Sequence, residues 1–425
     1  MSQTNILNKL YFKKNHHNLF IMSKHIAIVG AGPSGLSLAA LLQHHSIPFT
    51  IFEREKSTSS RFQGGSLDLH PESGQAALFE AGLEEQFKKY ARYYDQDYRF
   101  GDKKAVAWLF HKATADAEGR PEIDRAMLRK ILIESLDPEN IKWDHRLSEI
   151  VPQEDGRVKL VFENQPEPVV TDLLVGADGT WSKVRPFLTS WTPEYTGLTV
   201  IDCRISDVDK RFPELGEFIG RGTSFFLSEG SGIFIQRNGD DSVRVYPCLR
   251  VEENWHSENP SFNWNDAKKM ADYLIDNFFS TWDPRLQDVI RNVDANMTPR
   301  AQYRMPLGLR YDHHPGLTLI GDSLHVMSWF AGEGANLAML DGLDLFHEIK
   351  THPDDVDLAV RRYEEKVVAT GRADNTNEMS QDLLVKAMSN DAPRAYVEGM
   401  AKAMDVWFTD GKLLDKIDRE TLFNN

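Results

Sequence analysis

The chain has 425 residues, 41% of them hydrophobic and 27% charged, which suits two or three structural domains around a large buried core. Its formal net charge of −15 argues against nucleic acid as a partner, because neutralising phosphates across a broad surface needs basic residues. Cys203 and Cys248 are the only cysteines, too few for a disulfide framework or a cysteine zinc site. Both fall in strand-like runs, as buried thiols of a reducing compartment would.

Residues 1–22, "MSQTNILNKLYFKKNHHNLFIM", are basic but broken up by Asn, Lys and His. They lack the continuous apolar core of a secretory signal and the arginines of a mitochondrial presequence. They read as an N-terminal extension, or as an upstream start ahead of Met22. No apolar run approaches the roughly eighteen residues of a membrane span, so a cytoplasmic protein with no membrane partner is expected.

The next stretch, "SKHIAIVGAGPSGLSLAALLQHHSIPFTIFERE" at 23–55, has the rhythm of strand, helix and second strand. "HIAIV" has the character of a buried parallel strand, and Ser34 to His45 reads as a helix with small residues toward the sheet. Gly30, Gly32 and Gly35 stand between them in the order G-x-G-x-x-G. The first permits a tight turn, the second lets a pyrophosphate approach the backbone, and the third lets helix and strand pack closely. The helix start then offers free N–H groups and a positive dipole end to phosphates. Glu53 closes the second strand about twenty residues on, where an acid can accept from a ribose hydroxyl. This unit predicts a dinucleotide site without choosing NAD or FAD. Arg54 either covers an adenosine and its phosphates or is a solvated strand-end charge.

Two later stretches repeat the theme. "DLLVGADGTWSKVRPFL" at 172–188 is a buried strand running into Asp178-Gly179 and a helix-like "SKVRPF", with Arg185 one to two turns on. "GLTLIGDSLHVMSWFAGEGAN" at 316–336 runs through Gly321-Asp322 to glycines that open the helix "ANLAMLDGLDLFHEI". Three strand ends converging on one ligand suit a long cofactor stretched across the sheet edge. Asp322 could bind a ribityl hydroxyl, while the glycine-rich helix start could face a flavin edge that becomes anionic on reduction. The bland alternative for Asp322 is a helix N-cap.

Between these stretches, "SGIFIQ" and "SVRVYPCLRV" alternate like strands with one covered face, and "NDAKKMADYLIDNFFSTW" reads as an amphipathic helix on that sheet. After 350, "DDVDLAVRRYEEKVVATGRADNTNEMSQDLLVKAM" lacks breakers for long stretches and predicts one long bracing helix. "DAPRAYVEGMAKAMDVWF" predicts a further helix near the pocket mouth. No nucleophilic triad or metal cluster is evident. "YDHH" at 311–314 reads as a solvated turn, and His325 as a core histidine or a proton partner of a cofactor.

These motifs in series, together with "FQGGSLDLHPESGQ" at 62–75 and "EIDRAMLRKILIESL" at 122–136, resemble the class A flavin-dependent monooxygenases, the para-hydroxybenzoate hydroxylase superfamily. Within it the chain is most similar to the tetracycline-inactivating monooxygenases and their fungal relatives, in outline over about residues 24–370. The resemblance implies an α/β fold with a Rossmann-like FAD-binding domain of the GR2 type, built from 23–83, 104–187 and 297–350. It further implies an interposed β-sheet substrate domain from 84–103 and 188–296, and a C-terminal helical segment at 351–425. Gly30, Gly32, Gly35, Glu53 and Arg54 would hold the ADP half of FAD, with Arg125 beside the flavin and its phosphates and Asp68 close to the ring. Asp178 and Gly179 would serve both FAD and NAD(P)H. Asp322 would bind the ribityl-pyrophosphate, and Gly332, Gly334 and Asn336 would lie at the isoalloxazine. The implied activity is that of a monomer using NADPH or NADH and O2 to hydroxylate or epoxidise a medium-sized aromatic or polyketide-like molecule.

Two departures from the family matter. Trp329 stands where the family usually carries a proline; it could stack on substrate or flavin, narrow the space for oxygen chemistry, or point into the core. The strands between 190 and 296 lack the polar side chains with which the tetracycline enzymes hold their substrate, so tetracycline is not supported. Met327, Trp329, Phe226 and Phe234 are the expected pocket residues. Two other classes stay open: a flavin oxidase or dehydrogenase that does not hydroxylate, and a non-redox binding protein on the same fold, which the complete motif set argues against.

Overall fold

The computed structural model describes residues 24–58, 64–93, 97–111, 120–294, 296–308, 310 and 312–408. The expected extension at 1–22 lies outside them. Five parallel strands form the first sheet, in spatial order Leu317–Leu319, Leu173–Gly176, Ile26–Val29, Phe49–Phe52 and Ile141–Lys142. Every residue of "IAIV" and "LLVG" is buried, as required of central parallel strands covered on both faces. Helices Pro33–His44 and Gly334–Thr351 pack on one another, their contact kept close by Gly342, whose missing Cβ would lie 3.2 Å from the Leu38 nitrogen. A three-stranded antiparallel sheet, Arg146–Pro152, Val158–Glu163 and Val169–Thr171, joins the same core by stacking Phe162 on Phe52 at 4.7 Å.

The second sheet has seven strands, in order Thr298–Arg304, Glu194–Ile205, Val243–Arg250, Ser231–Arg237, Gly222–Ser228, Asp97–Asp102 and Ala107–His111. Its ends run past the domain boundaries expected at 104 and 297. Strand alternation divides its side chains between two cores. Ile201, Cys203, Ile233, Ile235, Val243 and Val245 face helices Ala267–Leu274 and Pro284–Arg291. Leu198, Val200, Phe234 and Cys248 face helices Arg372–Ala387 and Ala392–Phe408. Both cysteines are free and fully buried, and burial pushes their thiols up.

The single long helix expected after 350 is two. Gly371 adopts the left-handed region at φ +57, which ends Val356–Thr370 and starts Arg372–Ala387 in a new direction. The expected solvated turn at 311–314 also proves otherwise at His313, whose ring bridges Glu364 (2.7 Å) and Asp357 (2.9 Å) on the first of these helices. Among the described residues no helix is long and apolar enough to cross a membrane.

The loop opening helix Gly334–Thr351 is tied to strand Ser66–Asp68 by buried polar groups. Asn336, 1% exposed, accepts the His70 amide at 2.9 Å and donates to the Asp68 carbonyl at 2.9 Å. The His70 ring, 2% exposed, lies between Asp68 (Nε2, 3.1 Å) and Glu333 (Nδ1, 3.2 Å). Burial disfavours charge on this ring, but the hydrogen bonds to Asp68 and Glu333 outweigh it and raise its pKa to about 9. A histidine raised in the folded state stabilises fully below its unfolded pKa near 6.5, and that contribution is lost as pH rises through 9. Urea midpoints are therefore expected to show wild type exceeding His70→Asn at pH 6, the gap narrowing by about 3 kcal/mol by pH 10. A gap constant across that range would contradict a charged His70.

Candidate active site

The first turn closes on itself through glycines. Gly30 leaves its strand at φ +109, and a Cβ there would lie 2.3 Å from the Ala177 carbonyl oxygen; one on Gly35 would lie 2.1 Å from the Gly30 oxygen. Strand, helix and the neighbouring turn thus pack at backbone distance, as the spacing predicted. Glu53 sits at the end of Phe49–Phe52 and accepts the Ala31 amide at 2.7 Å and the Glu55 amide at 2.9 Å. Its carboxylate braces the phosphate-loop backbone. Arg54 beside it is exposed. Buried Arg129 secures the following segment by donating to the Thr58 carbonyl (2.8 Å) and Glu55 (3.0 Å).

The second and third turns are joined by Arg185. It is 4% exposed, on a single 3-10 turn where a longer helix was expected. Its guanidinium donates to the carbonyls of Thr180 (2.8 Å), Asp322 (3.0 Å) and Ser323 (2.7 Å). Asp178 accepts the Lys183 amide at 2.7 Å through Oδ2, while its buried Oδ1 has no partner among the described residues. Burial raises its pKa, with Ser182, the Lys183 amide and Arg185 holding it back. Asp322 is the first residue of the short helix Asp322–His325 rather than its N-cap, which is Gly321 at φ +64. A Cβ on Gly321 would lie 2.8 Å from Ser34 Oγ, so the third turn seats directly on the start of the first helix. Asp322 as a residue is exposed, with protein packed around its carboxyl group. This enclosure raises its pKa, and the positive groups of His325, Arg125 and Arg185 oppose the rise.

Behind Asp322 lies a buried charge network. His325 Nε2 meets Asp341 at 2.6 Å, Asp341 also accepts the Gly321 amide at 2.8 Å, and Arg372 bridges Asp341 (3.3 Å) to Asp344 (2.6 Å). Burial works against charge on His325, but Asp341 outweighs it and raises the ring's pKa; Asp341 in turn is pulled down by His325 and Arg372. His325 therefore holds the turn from behind.

A cavity of about 340 Å³ runs from the first turn to the seven-stranded sheet, within the range of small-molecule sites. Gly32, Pro33 and Arg125 line one end, Gly64 and Gly65 the middle, and Trp329, Tyr246 and Arg300 the other. The residues present fit a dinucleotide. Gly32, Gly179, Gly332 and Gly334 all face open space, with nothing within 4 Å of a built Cβ. Arg125 and the unpartnered Asp178 Oδ1 supply one donor and one acceptor, and the first helical N–H groups lack intrahelical acceptors.

Of the expected cofactor residues, Gly32 and Arg125 line this cavity, while Asp178, Gly179, Asp322, Gly332 and Gly334 lie outside its wall. Asn336, expected beside the ring, accepts from His70 and Ser73 and donates to the Asp68 carbonyl, and it too is absent from the cavity wall. Phe226 points to the far face of its strand, into the core with Phe218; its neighbour Phe225 faces the cavity side, because side chains alternate. Phe234 backs the wall rather than forming it, its ring 4.9 Å from Trp329. Trp329 is part of the wall, Met327 is half-buried on the same segment, and Asp68 is half-buried against His70. The sequence reading passed over Gln236, Arg244, Tyr246, Asp202, Arg300 and Gln302. Their signal was visible: in "SVRVYP" the polar Arg244 and Tyr246 alternate with buried valines.

The profile of the family described as FAD binding domain matches residues 23–353. The monooxygenase asqM of Emericella nidulans is 32% identical over 372 residues, covering 76% of this chain and 83% of its own. Among solved structures, HpxO of Klebsiella pneumoniae, complexed with FAD and uric acid, aligns with a TM-score of 0.70 at 18% identity, over 95% of this chain and 96% of its own. The tetracycline destructase Tet(51) aligns with a TM-score of 0.65 at 17% identity, over 90% and 97%. At those identities the two structures speak for the fold alone, while the profile and the fungal relative carry the family. The chain belongs to the FAD-binding-domain family and is an oxidoreductase of the class A flavin monooxygenases.

Proposed function

We propose that the protein uses NADPH or NADH and O2 to hydroxylate or epoxidise a medium-sized aromatic or polyketide-like molecule. The observation that carries this reading is a cavity that leads from the first glycine turn to the sheet. FAD would lie along it, with Gly30, Gly32, Gly35, Glu53 and Arg54 at its ADP half and Arg125 at the phosphates. Asp178, Gly179 and Asp322 would hold its middle, and Gly332 and Gly334 its ring. When bound, the flavin supplies electron storage and oxygen activation, chemistry no side chain here can replace.

The chain's own residues have three tasks. Glu53 and Arg185 fix the backbone amides and carbonyls that meet the cofactor, so little reorganisation is needed when charge develops. The start of helix Gly334–Thr351 directs its positive dipole end toward the ring, favouring negative charge there. Trp329, backed by Phe234 and Tyr246, walls the substrate end and excludes water. HpxO, which shares this fold, was solved in complex with FAD and uric acid, a flat heteroaromatic. Trp329 also supports a second reading, a flavin oxidase whose ring site is too narrow for oxygen transfer.

Two outcomes are expected. Gly32→Val adds a side chain only to open cleft and should weaken FAD at least 100-fold, about 2.7 kcal/mol, with an unchanged melting point of the cofactor-free protein. Gly30→Ala, driven into the Ala177 carbonyl, should instead destabilise the fold by about 3 kcal/mol; equal melting losses in both would refute the cleft assignment. In a screen of aromatic metabolites, substrate-dependent NAD(P)H consumption should yield a product heavier by one oxygen. Hydrogen peroxide with no oxygenated product would favour the oxidase.

A further inference from the structure

Helix Gly334–Thr351 begins at a carboxylate that caps nothing. Glu333 occupies its N-cap position, yet the side chain makes no capping hydrogen bond. The amides of Gly334, Ala335 and Asn336 have no acceptor among the described residues. A Cβ on Gly332 or Gly334 would meet nothing within 4 Å. Unpaired amides and the positive dipole end draw negative charge to a helix start. A carboxylate on the adjoining residue would answer that pull unless something else held it.

His70 holds it. The ring meets Glu333 Oε2 through Nδ1 at 3.2 Å and Asp68 Oδ2 through Nε2 at 3.1 Å, and it is the one partner of the Glu333 side chain among the described residues. Both ring nitrogens face carboxylates, so both donate, and the ring is a cation. Burial opposes that charge, but the hydrogen bonds to Asp68 and Glu333 outweigh it and hold the pKa at about 9. Glu333, at 13% exposed, is more enclosed than Asp68 at 28%, and so leans more heavily on the ring for its countercharge. The contact is fixed from the side. Asn336 Oδ1 accepts the His70 amide at 2.9 Å and the Ser73 hydroxyl at 3.3 Å, and a Cβ on Gly74 would lie 2.7 Å from that same oxygen. Histidine and helix start therefore move as one piece.

We propose that His70 is a positioning residue of the flavin site: it holds the Glu333 carboxylate off the first turn of helix Gly334–Thr351 and offsets its charge, which leaves the turn's amides to favour the reduced, anionic flavin over the oxidised form. This rests on the reading that places the flavin ring at Gly332 and Gly334. In this role His70 acts through Glu333 and not by touching the cofactor.

The readout is the two-electron midpoint potential of the bound flavin, measured by dye-coupled reduction of the purified holoenzyme, with the melting point and FAD dissociation constant of each variant taken alongside. His70→Asn should lower the potential by about 30 mV, a ten-fold loss of preference for reduced over oxidised FAD, because Glu333 is released with its charge uncancelled. Glu333→Gln should raise it by about as much, since the His70 charge then stands alone beside the turn; this variant carries the test if His70→Asn does not fold. The double variant His70→Asn with Glu333→Gln should return to the wild-type potential. A merely structural His70 would lower the melting point without moving the potential in step with charge. Unmoved potentials in the single variants, or a double variant as low as His70→Asn, would overturn the proposal. Gly334→Val tests the placement separately, filling the open space at the helix start and weakening FAD about ten-fold. FAD held by Gly334→Val as tightly as by wild type would put the ring elsewhere and remove the basis of the proposal. Weakened FAD in that variant, with unmoved potentials at 70 and 333, would sink this proposal and leave the placement standing.

Discussion

Where Gly30 leaves its strand, the backbone passes so near the Ala177 carbonyl that a single methyl group would stand 2.3 Å from its oxygen, and Gly35 and Gly321 meet their neighbours at similar distances. Everything else in the site depends on these approaches. They bring the ends of three parallel strands together at one edge of the sheet, the place where open α/β sheets hold their ligands. The remaining glycines do the opposite work: those at 32, 179, 332 and 334 leave space where a side chain would have filled it.

Backbone closeness alone would not keep the three turns in register. Arg185 does so by spending a buried guanidinium on carbonyls from two of them. Behind the third turn, His325, Asp341, Arg372 and Asp344 balance one another's charge in the interior. Such buried networks contribute little net stability when complete and cost several kcal/mol when one member is removed. Their value here is positional: Arg185 ties two of the turns to each other, and the second network ties the third turn to helices Gly334–Thr351 and Arg372–Ala387.

Much of this was legible from residues alone. The glycine spacing, the terminal acid Glu53 and the two later strand-to-turn passages depend on local geometry, which local sequence encodes. What was missed depends on contacts distant in the chain. Phe226 and Phe225 are equally apolar, and only the pairing of seven strands decides which of them faces the cavity. Asn336 ends a glycine-rich motif, but that its amide braces the 68–73 segment, more than 260 residues away, could not be read from its neighbours in sequence. Gly371 was read through as part of one helix, since a lone glycine costs a helix only about 1 kcal/mol and nothing nearby announces the left-handed turn. Asp202, Arg244 and Arg300 each look like ordinary strand charges; they become a group only when three strands lie side by side.

The most direct test of the central claim, one continuous cleft that holds the cofactor from adenine to ring, is a crystal structure grown with FAD. The account predicts density running from Gly32 past Asp322 to a ring whose free face opens toward Trp329 and Arg300. Flavin bound elsewhere, or a cleft filled by protein atoms with Asp322 facing bulk solvent, would contradict it.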